Sequence, residues 1–469
     1  MRNLATDDPM STFKKYKVVS LFSGAGGLDL GFFQTGKYDT LLANELLTAP
    51  VKTYIHNFKA KEISKKPERE DLPAVFLGDI KDLEFTGLEK EQIDVIIGGP
   101  PCQDFSIVRG PSTERQGLEV KRGNLYTHFI RSLVALQPNY FVFENVLGIK
   151  SANKGLAWNT IIEDFKYLSS KWEEAKNDAG LKNNIKNEIK SYNILFSDDI
   201  TMSYLGVPQK RRRVIILGTK KTVDVQIIYK INKFLKGENS IFRKFPLTTM
   251  EVFEGKPLPE LQEKYEKIMR EYEGITDEVN TEKAIEWKEE TWSNLSFNII
   301  TDYLKTNNIM PFSENLEDVF KSHKNLLIEL GYYEKNVKNV DSEDGTNKIP
   351  YESEDIRSRM KFIPPDENSE FVNGTKWHVS GRGMSLIYRR IHPLKPAYTV
   401  VAYGGGGTWT YHYERERSAI TNRERARLQT FPDEFQFKGN KQEIRAQIGE
   451  AVPPLIGKRI AELLAETMI

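Results

Sequence analysis

Short runs of β-branched and aromatic residues alternate with stretches of helical period over the first half of the chain. Residues 17–22 (KVVSLF) form the first run. It is broken by SGAGG and followed by a 3.6-residue period from Leu28, so the opening reads as strand, glycine turn, helix. Further apolar runs stand at 40–43, 93–97 (IDVII), 140–143 (YFVF) and 214–217 (VIIL), with a helical stretch at 125–136 between them. Alternation of this kind predicts an α/β fold with a mostly parallel, doubly wound sheet. The rhythm stops near Gly218, and the pattern to about Ile391 is irregular. Helical blocks at 421–429 and 456–467 close the chain, and no internal repeat or low-complexity tract interrupts it.

Two stretches of the irregular part differ sharply in charge. Residues 251–290 carry thirteen acids against six bases and read as helical with a solvent-facing acidic side, which phosphate would repel. Residues 371–413 carry no acid. Their five bases, Lys376, Arg382, Arg389, Arg390 and Lys395, are interleaved with Trp377, Tyr388, Tyr398, Tyr403, Trp409, Tyr411 and Tyr413. Basic plus aromatic is a nucleic-acid signature, the bland alternative being a partly buried irregular domain that lacks carboxylates.

Composition narrows the class. The 469 residues suffice for two or three compact bodies, and 67 Lys+Arg against 66 Asp+Glu give a net charge of only +1, so any polyanion site must be local. No apolar run approaches the roughly 18 residues of a membrane helix and no apolar stretch follows the polar start MRNLATDDPMSTFKK, so neither a membrane nor a secreted protein is expected. A single cysteine, Cys102, excludes an internal disulfide and a Cys-based zinc site within one monomer; no metal is expected, and a reducing cytoplasm is the default location.

The residues suited to chemistry fall at predicted strand ends. Ser23-Gly24-Ala25-Gly26-Gly27 lets the backbone approach a ligand at a helix start, but neither the dinucleotide spacing of glycines nor a P-loop is present. Glu45, about 20 residues on, is placed to take both hydroxyls of a ribose, and Asp79 to reach an adenine amino group. Cys102 follows Gly98-Gly99-Pro100-Pro101 beyond the IDVII strand, in a stiff loop at the usual ligand edge of an α/β sheet. Glu144-Asn145-Val146 lies past YFVF. Gln209-Lys210-Arg211-Arg212-Arg213 enters VIIL as an anion or base-edge clamp.

Taken in order, LFSGAGGLDLGF, GDI, GGPPCQDFS, RGNLY, FENV, QKRRR, KPAYTV, RERARLQTFPD and QIGEAVPPL resemble the motifs of the DNA (cytosine-5)-methyltransferases of bacterial restriction-modification type. The match covers both ends of the chain, and nothing between Lys220 and about Tyr388 aligns. The resemblance implies a Rossmann-like S-adenosylmethionine-dependent methyltransferase domain with a smaller inserted target-recognition domain. The expected organisation is a flexible tail (1–14), a catalytic and cofactor domain (15–218), a target-recognition domain (219–413) and a segment returning to the catalytic domain (414–469).

It also implies roles. The cofactor is expected across Phe22, Ser23, Gly24, Gly26, Gly27, Leu28, Glu45, Asp79, Ile80, Pro100, Leu125, Glu450, Ala451 and Val452. Cys102, Glu144, Arg211 and Arg213 are expected to act on a cytosine flipped out of duplex DNA. Ser106, Arg109, Gln209, Arg382, Arg389 and Arg390 are expected on DNA, with 106–117 as a lid. Glu450 stands where the family carries an asparagine. Leu46 stands where an aromatic residue packs on adenine, so that stacking is lost or taken over by Phe22. A Lys/Glu-rich stretch at 161–192 reads as a surface elaboration. The expected partners are duplex DNA and, in the cell, a cognate restriction endonuclease, with no membrane and a monomeric chain. An RNA (tRNA) cytosine-5 methyltransferase of the same fold is the alternative, and a dinucleotide oxidoreductase fails on Pro-Pro-Cys-Gln.

Overall fold

The first apolar run becomes β1 (Tyr16–Leu21), and the glycine turn after it delivers the chain to helix Gly27–Gln34. This computed structural model describes residues 14–88, 91–101, 125–168, 191–309, 315–380, 386–404, 407–408 and 410–468. Nine further strands follow: β2 (Tyr38–Glu45), β3 (Lys61–Ile63), β4 (Ala74–Leu77), β5 (Val95–Gly98), β6 (Tyr140–Asn145), β7 (Asn193–Thr201), β8 (Gln209–Lys210), β9 (Arg212–Thr219) and β10 (Ala397–Tyr398). Among the described residues, eight of the ten strands make one sheet in the order β3-β4-β2-β1-β5-β6-β9-β7. Every pairing is parallel except those of β9, which runs antiparallel to both β6 and β7. The strand order reverses at β1, with β2 on one side and β5 on the other. Such a switch point opens a crevice at the strands' carboxyl ends.

Burial on both faces explains why these strands read as unbroken apolar runs. Val18, Val19 and Leu21 of β1, Val95–Ile97 of β5, Phe141–Phe143 of β6 and Val214–Leu217 of β9 are all fully buried. Helix Leu125–Leu136 lays Tyr126, Phe129, Ile130, Leu133 and Val134 on this core, at the three- and four-residue spacing that puts side chains on one face. Each such side chain contributes roughly 1.5–3 kcal/mol by leaving water. The final helix, Pro454–Met468, returns to the same body: Tyr38 donates its hydroxyl to the Ala461 carbonyl at 2.8 Å and Tyr140 to that of Thr467 at 2.9 Å.

The chain divides into two compact units, the first drawn from Met1–Met202, Arg212–Glu238 and Ala451–Ile469, the second from Ser203–Arg211 and Asn239–Glu450. These units differ from the expected limits in three places: 203–211 and 414–450 belong to the second unit, and 219–238 to the first. For 414–450 the cause lies in helix Asn422–Leu428, whose Arg427 donates to the Val252 and Lys335 carbonyls and whose Arg423 donates to Thr346 and Asp344.

Within the second unit two charge expectations change. The acidic stretch is not solvent-facing throughout, because Glu251 and Glu254 are buried. Glu251 closes a capping box with Thr248 and accepts from His323 Nδ1 at 2.9 Å, while Glu254 takes Lys264, Asn336 and Tyr413. The acid-free segment places Phe371, Tyr388 and Tyr411 in a hydrophobic core with Trp287 and Met360, so most of its described aromatics pack inward and Tyr403 stays exposed. Trp409 lies outside the described residues, as does most of the 161–192 elaboration, of which helix Leu156–Lys166 contains the start.

Candidate active site

β1 ends at a backbone that only a special environment sustains. Phe22 has φ +55°, outside the range most side chains favour, and Gly24 and Gly26 follow with φ +55° and +87°. At Gly26 a Cβ would lie 2.4 Å from the Phe58 ring, so glycine is required there twice over. Strand β2 delivers Glu45 beside this turn. One carboxylate oxygen accepts from Gly24 N–H at 3.0 Å and the other from Leu47 N–H at 2.9 Å, which fixes the group. β4 delivers Asp79, whose carboxyl is opposed by burial yet held below its usual value by the Lys81 N–H and ammonium.

These groups fit an adenosyl cofactor. Ser23 Oγ is buried at the turn with no hydrogen-bond partner among the described residues, and the space on the Cβ side of Gly24 is open. Phe22 and Leu125 are half-buried against the same core, and Pro100 is buried. Leu28 is buried within its helix, and Leu46 is exposed. The Ile80 side chain lies in the core and its carbonyl accepts from Arg131. Glu450 is exposed at the end of helix Lys441–Glu450, Ala451 is half-buried and Val452 buried.

The second group of residues meets where β5, β6 and β9 end. Glu144 and Arg213 pair at 3.2 Å, Nε to Oε1, both largely shielded from water. Register explains the meeting, since Asn145 lies opposite Val214 and Arg213 is the next residue of β9. The β5 loop presses on the same carboxylate, for a Cβ on Gly99 would stand 2.7 Å from Glu144 Oε2. Asn145 Nδ2 donates to the Pro100 carbonyl at 3.1 Å and so ties down the chain as it enters Pro101. Cys102, the next residue, lies outside the described residues, as do Ser106, Arg109 and the whole 106–117 segment, and Arg382.

Three expected contacts are corrected by burial. Gln209 is 0% exposed and bridges the Leu428 carbonyl, Gln429 and the Val400 N–H. Arg211, 1% exposed, donates to the Val400 and Gly449 carbonyls at 3.1 and 3.0 Å. Arg390 is 0% exposed, its guanidinium given to carbonyls of Met360, Ile363, His412 and Glu414. None of the three is free to meet a base. Arg389 points the other way, as alternation along an extended backbone requires, and its guanidinium lies 3.4 Å over the Tyr398 ring. Sequence reasoning missed the roles of Gly99 and Asn145, although both adjoin residues it singled out.

A turn at the sheet's switch point, a strand-end carboxylate on β2 and a shielded Glu–Arg pair on β6 and β9 define the class: this is the fold of the S-adenosylmethionine-dependent methyltransferases. A DNA modification methyltransferase encoded within an Escherichia coli prophage shares it at TM-score 0.52 and 21% identity, covering 97% of this chain and 99% of that one. The family model for C-5 cytosine-specific DNA methylases matches residues 16–466, and the chain belongs to that family. It is 52% identical to the DNA (cytosine-5-)-methyltransferase M.ApeKI of Aeropyrum pernix, over 97% of this chain and 99% of that protein. It is 30% identical to the Type II methyltransferase M.NgoFVII of Neisseria gonorrhoeae (95% and 85%) and 30% identical to M.BbvI of Brevibacillus brevis (97% and 91%). The protein is thus a DNA (cytosine-5-)-methyltransferase of the Type II restriction-modification kind. No helix among its described residues is long and apolar enough to cross a membrane.

Proposed function

We propose that the enzyme methylates C5 of a cytosine within a specific short duplex sequence, on a base flipped out of the helix, through a covalent bond from Cys102 to C6. Flipping costs a few kcal/mol of stacking and pairing. C5 of cytosine is a weak nucleophile, and addition of the Cys102 thiolate to C6 makes C5 an enamine carbon. Glu144, held by Arg213, binds the ring N3 and exocyclic amine and supplies the proton that keeps negative charge from accumulating. C5 then takes the methyl group, its proton leaves, and elimination of Cys102 restores the double bond and the thiolate. S-adenosylmethionine, which the Phe22–Gly27 turn, Glu45 and Asp79 would hold, would supply the electrophilic methyl group of its sulfonium, with S-adenosylhomocysteine as the leaving product.

The shielded Glu144–Arg213 pair carries this reading, because it sets a hydrogen-bonding carboxyl beside the loop that continues into the chain's sole cysteine. The enzyme acts as a cytoplasmic monomer and protects host DNA from a cognate restriction endonuclease. Bisulfite sequencing of DNA from expressing cells should show 5-methylcytosine at one short recurrent sequence, and purified enzyme should label duplex DNA. Label in tRNA with none in duplex DNA would contradict the proposal.

A further inference from the structure

Behind Arg389 the second unit gathers more positive charge than its own carboxylates neutralise. β8 and β10 pair in parallel with Lys210 opposite Tyr398, and Thr399 Oγ1 donates to the Lys210 carbonyl at 2.6 Å, so Lys210 is fixed beside the Tyr398 ring on which Arg389 lies. Below the ring, Asp366 accepts from the Tyr398 hydroxyl at 2.6 Å and from Lys395 Nζ at 2.5 Å. Lys395 is thus paired with this carboxylate, Lys210 feels its charge, and Arg389 lies on the ring whose hydroxyl is bonded to it. His392, packed beside them, adds no charge near neutral pH, since burial lowers it to about 4 despite Asp366. The adjoining Glu367 is raised by burial to about 7, against the pull of Lys283.

We propose that Lys210, Arg389 and Lys395, organised by Tyr398 and Asp366, form a clamp for a backbone phosphate of the DNA substrate, a proposal that rests on the duplex-DNA reading above. Lys210 is exposed, and Arg389 is half-exposed with its guanidinium held against the Tyr398 ring and hydrogen-bonded to that side chain, so the other donors of its fork can meet an anion. The like charges are held close without a second carboxylate: partial burial, then Lys395 and Arg389, depress the Lys210 ammonium against the pull of Asp366. An anion between them relieves that repulsion. Such a contact positions the duplex and carries no sequence information.

The test is fluorescence-anisotropy binding of the full chain to a fluorescein-labelled unmethylated duplex, across a series of salt concentrations, with methyl transfer followed in parallel. Lys210→Gln and Arg389→Gln should each make the slope of log affinity against log salt shallower by about 0.9, the value of one phosphate contact. Asp366→Asn should tighten binding; asparagine tolerates the left-handed backbone of this position, φ +72°, and keeps an acceptor for Tyr398. Lys267→Gln, an exposed lysine on helix Gln262–Arg270 of the same unit, should keep the parental slope. Parental slopes in Lys210→Gln and Arg389→Gln proteins that melt at the parental temperature would overturn the clamp while leaving the methyltransferase reading intact. A shift as large in Lys267→Gln would also overturn it, by showing that net charge alone is at work. Failure of the parent chain to bind duplex DNA would overturn both.

Discussion

The two units use arginine to different extents. In the first, the sheet satisfies its own backbone and the interior is mostly apolar; Arg131 is buried against the Ile80 carbonyl, and Arg213 near a strand end pairs with the carboxylate of Glu144. In the second, much of the chain is irregular and leaves carbonyls that no ladder pairs. Arg211, Arg390, Arg423 and Arg427 are buried to supply the missing donors. Five N–H groups in a rigid fork make arginine the side chain best suited to that task. Arg211 and Arg213 stand two residues apart in one basic run and serve these two purposes. A basic run therefore marks where cations are needed, and only the backbone around each decides whether its partner is a carbonyl, a carboxylate or a phosphate.

The sharpest break in the comparison is predicted at Arg390. Replacing it with Ala leaves its carbonyls buried and unpaired, and should cost about 3–5 kcal/mol of stability in urea unfolding; a loss below about 1 kcal/mol would show that these bonds are dispensable. Next is the pair two residues apart. Arg213→Ala should lower kcat by about 10²–10³ with a near-parental melting temperature, whereas Arg211→Ala should lower the melting temperature first. Smaller again is Glu45→Ala, expected to weaken S-adenosylmethionine binding about 10- to 100-fold in calorimetry, as loss of charge-assisted hydrogen bonds implies.

The smallest effect concerns pH. His323 is fully buried with Nδ1 on Glu251 and Nε2 on the Phe245 carbonyl at 3.0 Å. Burial pushes its pKa down, but the Glu251 charge and both hydrogen bonds outweigh that and raise it. A folded pKa above the unfolded value of about 6.5 favours folding fully below that pH. The second unit should lose this contribution as pH rises through the raised value, and His323→Gln should flatten the dependence.

Much of the first unit was legible because parallel strands buried on both faces write themselves as continuous apolar runs; the predicted strand at 140–143 became Tyr140–Asn145 and the helix at 125–136 was met residue for residue. β7 was missed because Asp198 and Asp199 interrupt its apolar pattern, and these two are paired with Lys150, Lys236 and Arg212. Helix Lys441–Glu450 was missed because it is mostly polar. At the site, Glu45, Asp79 and Glu144 were legible from position at strand ends. The fates of Gln209, Arg211 and Arg390 were not, since a side chain that donates to carbonyls and one that donates to phosphates are the same residue in a sequence.

The most direct measurement is mass spectrometry of the enzyme after incubation with S-adenosylmethionine and a duplex carrying 5-fluorocytosine at the methylated position. Fluorine replaces the proton that must leave C5, so elimination of the thiol is blocked and the adduct persists. The account predicts a protein–DNA adduct that maps to Cys102, the single cysteine of the chain, and disappears in Cys102→Ala together with methyl transfer to unmodified DNA. An adduct on another residue, or methyl transfer by Cys102→Ala at the parental rate, would contradict it.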